Sequence, residues 1–135
     1  MQKPLGIIDS IAASGSEFIP GVVPFVRART FSVTIRLNFA AQTSTDAEVY
    51  LYYSPDGDRW DTIEYTSWAI TASAGNTVQR TVLVDVPEHG HMSIKVTNGD
   101  SGDTIDRIIC WYSIQSYYDW PAQSRGQIDT ADVYD

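Results

Sequence analysis

The chain has 135 residues, of which 43% are hydrophobic and 12% aromatic, a size and composition that suit one folded domain and exclude a disordered chain. The formal net charge of −8, with nine Lys and Arg in all, argues against nucleic-acid binding because neutralising phosphates requires clustered basic side chains. The acidic balance favours solubility, or attraction to a basic partner surface.

Cys110 is the only cysteine, so no disulfide can form within the chain. It lies in an apolar run, Ile108 to Trp111, which predicts a buried and unreactive thiol and is compatible with assembly in a reducing cytoplasm. The N-terminal residues are not typical of a signal peptide, because Asp9, Ser10 and Ser14 interrupt the apolar stretch. No apolar run approaches the roughly 18 residues of a membrane-spanning helix, so we expect no membrane association.

Residues 1–28 contain three prolines and apolar pairs such as Ile7-Ile8 and Val22-Val23. This composition predicts an N-terminal arm that supplies one or two strands. We consider Ile7 and Ile8 candidate interface residues, because apolar side chains on an extended arm can dock on a neighbouring molecule.

The middle of the chain alternates with a period of two, which is typical of strands with one buried face. Thr30 to Asn38 places five apolar residues on one side: Phe31, Val33, Ile35, Leu37 and, just beyond, Phe39. Ala47 to Tyr53 is the next predicted strand, and a turn at Ser54-Pro55-Asp56-Gly57 stops it. Trp60 to Tyr65 is predicted as the return strand of this hairpin.

Further strands are predicted at Val78 to Val86, Met92 to Thr97 and Ile105 to Tyr117. Arg80 interrupts an otherwise apolar face of the first of these, so we expect it near an open end of the strand. Met92, Ile94 and Val96 are predicted to point inward. The sequence 98–103 reads as a loop.

These elements predict an all-β fold, an antiparallel β-sandwich or jelly roll with extended N- and C-terminal arms. The predicted body covers residues 29–118, and an acidic C-terminal arm covers 119–135. The arm carries four aspartates against one arginine. Apolar and aromatic side chains spaced along an extended acidic segment suit docking on a neighbouring molecule. The candidate interface residues in the arm and just before it are Tyr117, Tyr118, Trp120, Ile128, Val133 and Tyr134.

The sequence contains few of the motifs and ligand sets that catalysis or metal binding requires. His89 and His91 are the only histidines, too few ligands for a zinc site. Asp56, Asp58 and Asp61 lack the spacing of an EF-hand calcium loop. Motifs for nucleophilic hydrolysis or phosphate binding are missing. We therefore predict a protein that is not an enzyme and needs no cofactor.

The number of tyrosines and tryptophans is the more informative feature, because it exceeds what one small core requires. Some of these rings must lie at the surface, where Tyr and Trp stack on sugars or anchor protein interfaces. A platform of tyrosines with Trp60 beside the predicted hairpin is one candidate.

The segment Tyr52-Tyr53-Ser54-Pro55-Asp56-Gly57-Asp58-Arg59-Trp60-Asp61-Thr62 resembles a hairpin of small β-sandwich virion proteins of tailed bacteriophages. Thr77 to Val82 and Ile94 to Val96 resemble later strands of the same group, so the similarity spans roughly residues 30–115. The resemblance implies a capsid decoration (cement) protein located in the virion. Its partners would be the major capsid protein or a neighbouring virion protein, and the chain would form a homo-oligomer.

The same hairpin also resembles discoidin-type domains, which implies a jelly roll that binds sugars or lipids. Only the hairpin and the strand near Met92 carry this second resemblance. The alternatives that stay open are another head, tail or head-tail accessory protein and a carbohydrate-binding module that uses surface aromatic residues.

Overall fold

The computed structural model describes residues 2–116, and these form nine β-strands and no helix. The predicted all-β antiparallel sandwich is confirmed. The strands in chain order are β1 (Lys3–Ile11), β2 (Ser16–Phe18), β3 (Val23–Phe25), β4 (Ala28–Phe39), β5 (Ala47–Ser54), β6 (Thr66–Ile70), β7 (Thr77–Asp85), β8 (Gly90–Asn98) and β9 (Ile105–Ser116).

Two antiparallel sheets make up the sandwich. The four-stranded sheet has the order β1-β9-β4-β7, and the five-stranded sheet has the order β2-β8-β5-β6, with β3 also paired to β8. The chain therefore crosses repeatedly between sheets, and its longest strands, β4 and β9, pair at the centre of the first sheet. Each sheet buries its inner face against the other.

The core follows the predicted alternation. Every second residue of β4, from Phe31 to Phe39, is at most 3% exposed, and the inward residues of β8, Met92, Ile94 and Val96, are fully buried. The ring of Phe31 packs edge-on against Phe25, with centroids 5.3 Å apart. The predicted burial of Cys110 is also observed, and burial raises the pKa of its thiol to about 12.

A bulge in β9 lets two inward residues stand three positions apart. Arg36 pairs with Ile109 and Asn38 pairs with Asp106, so β9 carries one more residue than β4 over this stretch. Arg107 adopts a left-handed conformation with φ of 52°. The extra residue turns both Ile105 and Ile108 into the core, which strict alternation would not allow.

The residues before 29 are built into both sheets. β1 pairs with β9 along nearly its whole length, and β2 and β3 pair with successive parts of β8. The first 28 residues thus contribute three strands, where the sequence indicated one or two.

The predicted return strand at Trp60 to Tyr65 is wrong, because the strand that pairs with β5 is Thr66–Ile70. The amide of Asp61 donates to Tyr53 O and that of Tyr65 donates to Leu51 O. Four positions of the returning chain therefore span two positions of β5, and the surplus residues project outward as a loop. Ile63 and Tyr65 alternate with polar residues as in a strand, but both belong to this exposed loop.

The prediction for Arg80 is also wrong. Arg80 lies in the middle of β7, opposite Ile35, and not near a strand end. It is tolerated there because β7 is an edge strand of its sheet, so the side chain can leave the core sideways. Its guanidinium donates to the carbonyl of Ala69 on β6, which ties the edges of the two sheets together. Inward-pointing charges on edge strands also discourage pairing with other chains.

One end of the sandwich is closed by a buried polar network. The Asn98 side chain donates to Ile11 O, Ala12 O and Asp103 O at 3.3, 3.2 and 2.7 Å, which joins β8 to the turn after β1. The Asp100 carboxylate accepts hydrogen bonds from the amides of Ser44, Gly102 and Asp103. These donors, that of Ser44 foremost, lower the pKa of Asp100.

Candidate functional site

Of the residues predicted to form an interface, the structure describes two. Ile7 on β1 is 61% exposed, whereas the adjacent Ile8 packs against the core. The other six, Tyr117, Tyr118, Trp120, Ile128, Val133 and Tyr134, lie outside the described residues.

Ile7 belongs to the outer surface of the four-stranded sheet, which we call the flat face. Paired residues of neighbouring strands present their side chains on the same side of a sheet, so the register defines its rows. The three central rows are Ile7, Ile109, Arg36 and Gln79; Pro4, Trp111, Thr34 and Thr81; and Ser113, Ser32 and Leu83. These rows contain no acidic residue, although the chain as a whole carries a net charge of −8.

Apolar side chains stand on this face among hydroxyl and amide groups. Leu83 is 70% exposed on the β7 edge, and Ile7 stands on the opposite edge beside the half-buried Ile109 and Trp111. The Arg36 guanidinium lies 5.7 Å from the centre of the Trp111 ring. Trp and Arg side chains surrounded by few charges are the composition typical of a protein interface.

Hydrogen bonds between side chains hold the polar part of the flat face in place. Thr34 is only 2% exposed, since Gln2 donates to its hydroxyl at 2.6 Å and Thr81 shares a hydrogen bond with it at 2.8 Å. Arg36 is held in turn by a bond from Nε to Gln79 Oε1 at 3.1 Å. The face is therefore a fixed surface whose side chains need little further ordering on binding.

The outer surface of the five-stranded sheet has a different shape. An apolar groove of about 610 Å³, which we call the aromatic groove, lies between the 18–22 segment and the loop after the Ser54 turn. Its lining residues are Phe18, Ile19, Gly21, Val22, Tyr52, Trp60, Asp61, Thr62 and Ser93. Phe18 is 53% and Val22 46% exposed, so large apolar side chains line an open depression.

Lys95 stands among aromatic rings at the side of this groove. Its Nζ lies 5.2 Å from the ring centres of Tyr50 and Tyr52 and 5.9 Å from that of Phe18. Phe18, Lys95 and Tyr50 share one row of the sheet register. Among residues 2–116 no carboxylate forms an ion pair with Lys95, so its charge faces the rings and solvent.

The loop that walls the groove is fixed at both of its ends. At the turn, the Asp56 carboxylate accepts bonds from the amides of Arg59 and Asp58 and from the Arg59 side chain, which together lower its pKa. At the far end, the Tyr65 hydroxyl donates to Asp85 O on β7 at 2.9 Å. Between these anchors Ile63 is 76% exposed, so the apolar surface extends beyond the groove.

The two histidines considered as metal ligands lie beside ordinary neighbours in the fold. The His91 ring lies against Gly57, where a Cβ would come within 3.3 Å of it. His89 lies 3.5 Å from a Glu88 carboxylate oxygen. Residues 2–116 contain no group of three or more metal-ligating side chains. The same residues contain no helix long and apolar enough to cross a membrane.

The sequence indicated Trp60 and the tyrosines as candidates, but not the residues that lie beside them. Phe18 and Val22 come from the N-terminal segment, and Lys95 comes from a distant strand. Only the pairing of β2 and β5 with β8 brings them together. The lone lysine in the otherwise alternating run Met92 to Thr97 was the available signal, since it marks the outward side of that strand.

Comparison with solved structures shows the fold in other proteins. A chain of latent PorU from Porphyromonas gingivalis matches with a TM-score of 0.54 and 10% identity over 86% of this chain, which spans only 12% of that protein. A chain of the naturally occurring empty particles of cowpea mosaic virus matches with a TM-score of 0.52 and 11% identity, covering 85% of this chain and 83% of that one.

A chain of infectious bursal disease virus, Gx strain, matches with a TM-score of 0.53 and 10% identity, covering 90% of this chain and 32% of that one. At these identities the similarity is one of fold. No protein family and no curated protein matches the sequence of the chain.

Proposed function

We propose that this chain is a non-enzymatic structural protein of a tailed-bacteriophage virion, a capsid decoration protein that binds the outer capsid surface or a neighbouring virion protein. The flat face is the observation that carries the proposal. It offers exposed apolar side chains, a Trp–Arg pair and immobilised hydroxyl and amide groups on a rigid sheet. Such a surface can bury apolar area without desolvating carboxylates.

The shape of this surface supports a protein partner over a small molecule, because the depression beside Arg36 and Ile109 measures only about 170 Å³. Small ligands are bound in concave sites that enclose most of their surface, whereas standard protein interfaces bury about 800 Å² on each partner. Two of the three rows cross all four strands and the third crosses β9, β4 and β7, with neighbouring strands about 4.8 Å apart, so the rows form the centre of such a contact.

The location in a virion rests on similarity. The hairpin around Ser54 to Trp60 resembles that of phage virion sandwiches, and the fold matches chains of two viruses, one of them from empty virus particles. A homo-oligomer would present several flat faces together, and multivalent attachment would strengthen weak individual contacts.

The proposal is tested by adding the purified chain to phage particles that lack it, prepared from a phage with this gene deleted. The chain should sediment with the particles and saturate at a fixed number of copies per particle. Leu83→Asp, which places a carboxylate on the flat face, should weaken binding at least about tenfold, a cost of roughly 1.4 kcal/mol.

The matched control is Val26→Asp, because Val26 is also 70% exposed but lies on the β3–β4 connection, outside the three central rows of the flat face. This variant should bind like the unaltered chain. Failure of the unaltered chain to bind any particle, or equal loss of binding in both variants, would reject the proposal.

A further inference from the structure

The aromatic groove has a chemistry that one segment of the same chain complements. The groove is lined by Phe18, Val22, Tyr52 and Trp60; the Asp61 carboxylate belongs to its loop wall, and Lys95 stands among the rings at its side. An occupant that suits it combines apolar or aromatic anchors along the groove with negative charge where it faces Lys95. Residues 117–135 have this composition: four aspartates, one arginine, and the anchors Trp120, Ile128, Val133 and Tyr134.

β9 ends at the end of the sandwich that is nearer the aromatic groove. Ser116 pairs with Ala28, and the amide of Ala28 donates to Glu88 O just before β8 begins at Gly90. Ser93, which lines the groove, follows only three residues later on β8. The chain therefore continues from the end of the sandwich nearest the groove.

The length of the segment is sufficient. An extended chain covers at most about 3.3 Å per residue, so the 19 residues from 117 to 135 reach roughly 60 Å. A domain of this size is about 35 Å across. The segment can therefore pass around the edge of the sandwich to the outer face of the five-stranded sheet, and its attachment keeps it at a high effective concentration there.

We infer that the aromatic groove is the docking site for the chain's own C-terminal segment, residues 117–135, with apolar anchors against Phe18, Val22 and Trp60 and aspartates facing Lys95. Docking would cover apolar side chains that otherwise stay in water. The groove and the flat face are different surfaces, so docking of the segment can be tested independently of particle binding.

Disulfide trapping in the full-length chain tests this inference. Val22→Cys in the groove is combined with Ala131→Cys, which leaves the four anchors intact. The natural Cys110 does not interfere, because it is buried and its pKa is raised to about 12. Under mild oxidation we expect this pair to link at least about ten times faster than a control pair, as a docked segment holds the two thiols together.

The control pair is Leu83→Cys with Ala131→Cys, which places the first cysteine on the exposed flat face. The linkage rate of each pair is divided by the rate at which a small reagent alkylates its cysteines, which corrects for differences in thiol reactivity. Adding Lys95→Glu to the groove pair should slow linkage several-fold, because it replaces attraction of the aspartates by repulsion.

The size of the linked product shows which copy provides the segment. A monomeric product places the segment in its own groove, and a dimeric product places it in the groove of a second copy; both support the docking site. Equal normalised rates for groove and control pairs would overturn the inference and leave the groove to another occupant, such as a sugar. No effect of Lys95→Glu on the rate would overturn the electrostatic part.

Discussion

The outer faces of the two sheets differ in shape and chemistry, although the inner faces share one core. The four-stranded sheet carries rows of hydroxyl, amide and apolar side chains, with Arg36 as the sole charge of its three central rows. The five-stranded sheet carries Lys95 among aromatic rings, beside a groove walled by loops. The first surface suits another flat protein surface, and the second suits an extended segment.

This difference originates in the connections. The three central rows of the flat face lie on the paired strands β1, β9, β4 and β7 themselves. The connection from β5 to β6 instead carries surplus residues that project over the outer face, as the hydrogen bonds of Asp61 and Tyr65 show. A concave site thus arises where the return of a hairpin is longer than the strand it pairs with.

The largest expected effect concerns the support that both faces share. Ile35→Ala removes a fully buried side chain at the centre of β4 and should lower the free energy of unfolding by about 2–5 kcal/mol, from lost burial and the remaining cavity. Urea denaturation measures the change. Ile63→Ala, at a 76% exposed position, should change stability by less than about 0.5 kcal/mol. Similar losses in both variants would contradict the described core.

The next effect concerns the residue that fixes one sheet relative to the other. Asn98→Ala leaves the carbonyls of Ile11, Ala12 and Asp103 without their buried donor and should cost about 2–3 kcal/mol of stability. Asn76→Ala is the control, because Asn76 donates only to Ser73 at an exposed turn. Equal stability of the two variants in urea would show that the network does not join the sheets.

Acid should loosen both ends of the sandwich. The pKa values of Asp56 and Asp100 lie below their ordinary value of 3.8 in the folded chain, because backbone amides donate to the ionised forms. Their stabilising contribution is therefore complete above about pH 4 and is lost as the pH falls through the lowered values. Thermal unfolding from pH 7 to pH 2 measures the decline.

Asp100→Asn should be less stable than the unaltered chain at pH 7 and should show a shallower decline in acid. Asp9→Asn, at an exposed position of β1, is the comparison and should keep the full decline. An unchanged acid profile in Asp100→Asn would mean that its hydrogen bonds do not contribute to stability.

The smallest effects on stability, and the sharpest on function, come from the outer faces themselves. Leu83→Asp and Phe18→Ala should each change the unfolding free energy by less than about 1 kcal/mol, because both side chains are more than half exposed. Leu83→Asp should reduce particle binding and leave groove trapping unchanged, whereas Phe18→Ala should do the reverse. If one variant impaired both readouts, the two faces would not act separately.

The alternation of β4, β5 and β8 could be predicted from the sequence, since buried and exposed positions differ in polarity at every step. The loop at 61–65 could not, because Ile63 and Tyr65 alternate as a strand would but stand exposed in solvent. Arg80 was misplaced for a related reason. Sequence shows that a charge interrupts an apolar face, but only sheet order shows that an edge lies beside it.

The candidate site was harder to predict than the core. Ile7 was identified as exposed apolar surface, but its partners Trp111 and Leu83 depend on the register of β1, β9, β4 and β7. Trp111 lies in the most apolar run of the chain, where burial is the natural expectation. The bulge at Arg107 shifts the inward positions within that strand, and a residue in left-handed conformation other than glycine leaves no clear sequence signal.

Reconstruction of decorated particles by electron cryomicroscopy tests the central claim most directly. We expect density for the sandwich with the sheet β1-β9-β4-β7 turned toward the particle and with Ile7, Trp111 and Leu83 at the contact. A sandwich that meets the particle through the aromatic groove, with the flat face exposed to solvent, would contradict it.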